Sequence, residues 1–193
     1  MKKPILSIII PGIRPANWGD IYYSCDMPKE DFEMIFVGPW DNPEITKEQN
    51  VKFVKDWGHP TRAMNIGLII AEGEWINWEA DDAHFLDKEP SSALAAAIAN
   101  PAVIYSSRYL EKLGGWDSQF ETMFWSHTDL AIRLQRNGYN IDLYRKPIVH
   151  CNHMPGESGD HAPVHFGHKD HDDPLFNQIY SDPKNNNRCE INI

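Results

Sequence analysis

The stretch Trp75-Ile76-Asn77-Trp78-Glu79-Ala80-Asp81-Asp82 decides how this chain is read. Its first half reads as a strand, and that strand runs straight into three carboxylates. If the extended backbone continues, Glu79 and Asp81 point to the same side, because side chains alternate with a period of two. Carboxylates packed together repel one another, and a cation relieves the repulsion. Oxygen-only donors suit Mg²⁺ or Mn²⁺, which usually complete their shell with water and substrate phosphate. The cluster therefore points to a nucleotide diphosphate. The competing reading is a solvated acidic turn.

Working outward, Leu6 to Ile10 is a continuous apolar run closed by Pro11-Gly12, the pattern of a strand buried on both faces. Phe32 to Val37 repeats it and is closed by Gly38-Pro39, and Val51 to Val54 is a shorter third strand. Helical spacing over Thr61 to Glu72 places Ala63, Ile66, Gly67 and Ile70 on one face, with Gly73 ending the helix. Ser91 to Ala99 is an alanine-rich helix stopped by Asn100-Pro101. Val103 to Tyr105 reads as a strand, and a short helix through Leu110 and Leu113 ends at Gly114-Gly115. A helix over Thr128 to Asn137 stops at Gly138, and Ile141 to Leu143 and Ile148 to Val149 read as the last strands. Strands alternating with helices imply an α/β layer fold with a mostly parallel sheet, which binds ligands beyond the carboxyl ends of its strands.

The formal net charge of -10 argues against nucleic-acid binding, which needs a basic face. No apolar run is long enough to span a bilayer. The opening Met1-Lys2-Lys3 followed by apolar residues has the look of a leader, but Pro11-Gly12 and the β-branched run favour a buried first strand. The cysteines Cys25, Cys151 and Cys189 are odd in number and lack metal-type spacing, so free thiols in a reducing, cytoplasmic compartment are expected.

From Ser7 to His150 the order of features resembles the family-two glycosyltransferases. The first strand with its proline spans Ser7 to Pro11. Ala63-Met64-Asn65-Ile66-Gly67 follows, then Ala71-Glu72-Gly73-Glu74 and the acidic strand end Glu79-Ala80-Asp81-Asp82, which stands for the Asp-x-Asp motif. Gly114-Gly115-Trp116-Asp117 comes next, and Asp129-Leu130-Ala131-Ile132-Arg133-Leu134 with Gly138-Tyr139 completes the series. The match departs in three places. Gly38-Pro39-Trp40-Asp41 replaces an acidic turn, Glu79 replaces the first Asp of the motif, and His127 stands at the usual position of the acidic base.

The resemblance implies a single GT-A-like (Rossmann-like) domain: a catalytic part over residues 1–155, with 156–193 as a loop-rich tail or lid of the same domain. It implies metal binding by Asp81, with Glu79 on ribose or metal-bound water and Asp82 assisting the metal or the sugar. His150 and His153 are further candidate ligands for Mn²⁺ or Mg²⁺. Pro11, Gly12, Ile13 and Arg14 are expected to line the nucleotide, with Arg14 facing phosphate. Asp41 would read the base or ribose, Arg62 would reach the diphosphate, and Asn65 and Ala80 complete the nucleotide-sugar set. Trp116 and Trp125 are expected on the acceptor side, where sugars stack on such rings; core packing competes for both.

An inverting transfer needs a base to take the proton of the attacking hydroxyl. Asp129 and His127 are the candidates. Ser126-His127-Thr128-Asp129 also matches a capping box, with Ser126 as N-cap, which is the competing role for Asp129. His127 would sit in the first helical turn, where the dipole disfavours its charged form. The resulting expectation is hexose transfer from a UDP-sugar to a glycan hydroxyl. The alternatives are a sugar nucleotidyltransferase, a non-catalytic carbohydrate- or metal-binding module on the same fold, and a zinc hydrolase using the histidine-rich tail.

Overall fold

A computed structural model describes residues 2–99, 106–139, 149–151 and 166–191. Strand β1 (Leu6–Pro11) is followed by a 3₁₀ turn and helix α1 (Trp18–Ser24). Then come β2 (Phe32–Gly38), the single turn α2 (Pro43–Thr46), β3 (Val51–Lys55) and α3 (Pro60–Ile70). Strand β4 (Trp75–Trp78) leads through the acidic turn into β5 (Ala83–Phe85). Helices α4 (Ser91–Ala99), α5 (Ser107–Leu113) and α6 (Met123–Arg136) precede β6 (Val149–Cys151). A π-helical turn over Gly167–Asp172 runs into α7 (Asp173–Ser181). The expected strands Val103 to Tyr105 and Ile141 to Leu143 lie outside the described residues, as does His153.

The sheet order is β3-β2-β1-β4, and every pairing is parallel. The apolar runs predicted this, because a parallel strand buries both faces. Period-two alternation divides them: Leu6, Ile8 and Ile10 pack under α1 with Trp18, Ile21 and Phe36, whereas Ile9 and Ile35 pack under α3 with Met64 and Leu68. Gly67 lets α3 lie on β1, since a Cβ there would sit 2.3 Å from Ile9. At the amino end of the sheet, buried Glu33 accepts from the Ser7 hydroxyl at 2.6 Å and from the Glu72 amide, and pairs with Lys52. That network fixes one end of the sheet and leaves the carboxyl end open.

The chain steps from β1 through β2 to β3 in one direction, then returns through α3 to place β4 on the far side of β1. The carboxyl ends of β1 and β4 therefore flank the point where strand order reverses, the usual ligand crevice of such sheets. A two-stranded antiparallel ladder of β5 and β6 adjoins this end, pairing His84 with His150 and Ala83 with Cys151.

Two expectations are corrected here. Helix α6 begins at Met123 with Thr122 as N-cap, not at Ser126-Thr128. The residues leading into it are tied from far along the chain: Asp172 accepts from the Glu121 and Thr122 amides at 3.0 and 2.9 Å and from the Thr122 hydroxyl. Within the expected loop-rich segment 156–193, residues 166–181 are helical instead: they form the π-helical turn and α7 and dock on α6. Phe176 stacks on Trp125 with ring centroids 4.0 Å apart.

Candidate functional site at the strand ends

Three loops meet at the carboxyl end of the sheet. Pro11 to Arg14 leave β1, Gly38 and Pro39 leave β2, and Glu79 to Asp81 leave β4; together with Trp78, Ala63 and Met123 they line a cavity of about 240 Å³. Gly38 is required for the approach of β1 to β2, since a Cβ there would sit 1.7 Å from the Gly12 carbonyl oxygen. The predicted Pro11, Gly12, Ile13, Arg14, Glu79, Ala80 and Asp81 all line this space.

Asp81 is the centre of the arrangement and is almost fully buried. Its Oδ2 accepts from the Ile13 and Arg14 amides at 2.7 and 2.6 Å. Its Oδ1 accepts from Arg14 Nε at 2.9 Å and Nη2 at 2.5 Å. Arg14 Nη1 reaches the buried Asp82 at 3.0 Å. The crevice is thus stitched across by one arginine and two aspartates. Arg14 faces carboxylates, in place of the phosphate role expected for it.

Glu79 points into the cavity beside Asp81, with Asn77 donating to its carboxylate at 3.1 Å. Burial pushes its carboxyl up to about 8. Asp81 and Glu79 both line the cavity, but Asp81 is saturated by four donors. His150 is exposed on β6, its ring 5.2 Å from that of His84. Among the described residues, no group of three or more His, Cys, Asp or Glu side chains gathers to hold a metal ion. The donor set in this arrangement does not fit a resident Mn²⁺ or Mg²⁺, because the carboxylate that would ligate it already holds a guanidinium.

Several predicted residues have other employment. Asn65 is buried and clamps Trp116, donating to its carbonyl at 2.7 Å and accepting from its amide at 3.0 Å. Its amide is spent on joining α3 to the Gly114-Gly115-Trp116-Asp117 turn, not on a nucleotide. Arg62 pairs with Asp56 at 3.1 Å on the surface, and Asp41 is exposed outside the cavity. Trp116 is buried, so its ring is a core element and offers no face to a sugar. Trp125 is sandwiched against Phe176 and donates to Asp173 of α7.

The two candidate bases differ sharply. Asp129 is fully buried and pairs with the equally buried Arg133 at 2.8 Å. It also accepts from Arg188 Nε at 3.0 Å and from the Tyr180 hydroxyl at 2.7 Å. Arg133 spends its remaining nitrogens on the carbonyls of Leu113 and Gly115. A carboxylate held this way has no face for an incoming hydroxyl, so Asp129 is a strut between α6, the turn after α5 and the C-terminal segment. The capping role read from the sequence is replaced, since α6 begins at Met123.

His127 lies in the second turn of α6, stacked on Trp78 with centroids 3.9 Å apart. Its Nδ1 accepts from the Trp116 indole at 3.0 Å. The neutral ring therefore carries its proton on Nε2, which has no hydrogen-bond partner among the described residues. Burial, and not the helix dipole, pulls its pKa down to about 4. Sequence reasoning missed two residues at this site. Trp78 joins the cavity to His127, and Cys151 is paired by β6 with Ala83 just beyond the acidic turn, where burial and the charges of Asp82 and Glu79 raise its thiol. The β-strand parity of Trp78 and Glu79 and the strand-like pattern before Cys151 were the only signals available.

No family model matches the chain. No curated protein matches it either. Solved structures do. The mannosyltransferase PcManGT from Pyrobaculum calidifontis, in complex with GDP-Man and Mn²⁺, superposes with a TM-score of 0.65 at 18% identity, over 93% of this chain and 65% of that one. TarS 1–349 from S. aureus, in complex with UDP, superposes with a TM-score of 0.62 at 14% identity, over 79% of this chain and 61% of that one. The longer TarS gives a TM-score of 0.62 over 37% of its length. This chain spans less than two thirds of each of these structures. At such identities the likeness is one of fold, and with the parallel sheet and its strand-end crevice it gives this chain a GT-A-like fold.

Proposed function

We propose that this chain is a nucleotide-sugar-dependent glycosyltransferase domain, moving a hexose-type sugar from a UDP-sugar to a glycan hydroxyl. In such a transfer the bond from the anomeric carbon to the diphosphate oxygen breaks, its electron pair going to that oxygen. The acceptor oxygen bonds to the carbon and gives up its proton. The observation that carries the reading is the Asp81 clamp at the strand-order reversal, opening on a cavity walled by the ends of β1, β2 and β4. A ligand crevice belongs at that point of the sheet, and two structures of similar fold are complexes with UDP and with GDP-Man.

Within this reading, Asp129 holds the fold and His127 serves the substrate. With Trp116 fixing Nδ1 as an acceptor, His127 carries its proton on Nε2, which is buried behind the cavity wall at Trp78, so once that wall opens it meets a sugar or acceptor oxygen as a donor and not as a base. A divalent cation remains the expected companion of the leaving diphosphate, supported by the Mn²⁺ in the mannosyltransferase structure. The test is calorimetric titration of UDP-glucose, UDP-GlcNAc and GDP-mannose, with and without Mn²⁺, followed by donor-hydrolysis assays. Saturable binding of a nucleotide sugar, lost in Trp78→Ala, is expected. If no nucleotide diphosphate or sugar nucleotide binds under any condition, the reading fails and the carbohydrate-binding alternative takes its place.

A further inference from the structure

We infer that Arg14 is the resident counter-cation of the acidic strand end and closes it to free divalent metal. The inference deepens the proposed nucleotide-sugar reading, since it concerns the same carboxylates.

Three facts carry it. Arg14 Nε and Nη2 both bind Asp81 Oδ1, and Nη1 binds Asp82, so every nitrogen of the guanidinium that can donate faces these two aspartates. The other oxygen of Asp81 is filled by two backbone amides, one of them that of Arg14 itself. The side chain of Arg14 is 22% exposed and those of Asp81 and Asp82 are 2% and 3% exposed, so the ion pairs are largely withdrawn from solvent and little screened by salt.

A guanidinium cannot lose its charge at any ordinary pH, and its fork matches a carboxylate geometrically. A metal ion entering here would have to strip two charged hydrogen bonds from Asp81 Oδ1 and leave the arginine beside a second positive charge. Both changes oppose binding. The position also has a sequence logic. Residue 14 stands at the end of the loop after β1 and Asp81 at the end of β4, so the reversal of strand order brings a cation to the acidic motif without any metal. Arg14 is consequently the residue that sets cation selectivity at this site, and the residue that must be displaced before an external cation can be held by Asp81.

The test needs no substrate. Mn²⁺ is titrated into the whole chain and into Arg14→Gln and Arg14→Lys, with bound and free metal separated by electron paramagnetic resonance and folding checked by circular dichroism. The native chain should bind no Mn²⁺ at Asp81 up to about 1 mM, and Arg14→Gln should gain at least about tenfold in affinity. Arg14→Lys keeps the charge but lacks the fork, and should fall between them. A gain in Arg14→Gln that vanishes in Arg14→Gln/Asp81→Asn assigns the gain to this carboxylate. If the native chain binds Mn²⁺ tightly and loses it in Asp81→Asn, the inference is overturned, whether or not the arginine variants fold. Failure of every nucleotide to bind would sink the functional reading and leave this metal comparison intact.

Discussion

Replacing Asp129 with asparagine separates a structural strut from a catalytic base. The carboxylate is fully buried, and three side chains converge on it: Arg133 at 2.8 Å, Arg188 at 3.0 Å and Tyr180 at 2.7 Å. All three are donors. An asparagine of the same shape offers one oxygen and turns an NH₂ group toward donors it cannot accept from. Arg133, itself fully buried, is left without its countercharge. Breaking a buried ion pair from one side costs about 3–5 kcal/mol. The carbonyls of Leu113 and Gly115 still accept from Arg133, and Asp117 still pairs with Arg188, so the lower end, about 3 kcal/mol, is expected. For a domain of this length each kcal/mol shifts the melting temperature by about 2–4 °C, which gives a drop of about 6–12 °C. Urea unfolding followed by tryptophan fluorescence should show the loss as a lower midpoint with an unchanged slope. A base would behave otherwise, losing about 10²–10⁴-fold in transfer without a stability change. An Asp129→Asn chain that melts like the parent but no longer transfers sugar would refute the assignment.

Three further outcomes are expected. Asp172→Ala leaves the donors that lead into α6 without their acceptor and should cost about 1–3 kcal/mol, with earlier hydrogen exchange of the Glu121 and Thr122 amides than of the α6 interior as the local readout. Gly38→Ala drives a Cβ into the Gly12 carbonyl and should destabilise by about 3 kcal/mol, the upper end for overpacking, while weakening nucleotide binding in titration calorimetry. His127 has a folded pKa of about 4 against an ordinary 6.5, so the folded chain binds fewer protons than the unfolded one between those values. Its contribution to stability is complete above pH 6.5 and is lost as pH falls toward 4. Glu79, raised to about 8, slopes the opposite way from pH 4.5 upward, so the quantity to measure is the difference in melting temperature between parent and His127→Gln across pH 4–7. A pH-independent difference would show that the imidazole does not titrate as buried. The same variant retains an N–H donor and should keep transfer within about tenfold, whereas a general base would lose far more.

How much was legible follows from how local each determinant is. The apolar runs of β1 and β2 and the helical spacing of α3 are properties of a few consecutive residues, and they located the sheet and its open end. The acidic strand end was legible for the same reason. What escaped depends on contacts between distant residues. The residues leading into α6 are tied by Asp172, about fifty positions downstream, and the local Ser126-x-x-Asp129 pattern gave a false cap. Asp129 reads as catalytic until Arg188 and Tyr180 arrive from the C-terminal segment. Asn65 sits in a motif that suggests a ligand, but its partner is the backbone of Trp116. Arg14 and Asp81 are 67 residues apart and meet only because strand order reverses between them.

That last meeting explains why the acidic motif alone misleads about charge. Read in isolation, Glu79, Asp81 and Asp82 demand an external cation. In the fold, Asp81 and Asp82 share one guanidinium, and burial holds Glu79 in its neutral form up to about pH 8. At neutral pH the strand end then carries a residual charge of about minus one in place of minus three. A nucleotide diphosphate meets less repulsion from such a site than the sequence suggests, yet among the described lining residues the one cation is Arg14, which the aspartates already hold. Diphosphate binding therefore requires rearrangement around Arg14 or a cation that arrives with the ligand. Either route makes binding a two-body exchange at Asp81. The Arg14→Gln comparison is accordingly the measurement that connects the fold to the chemistry.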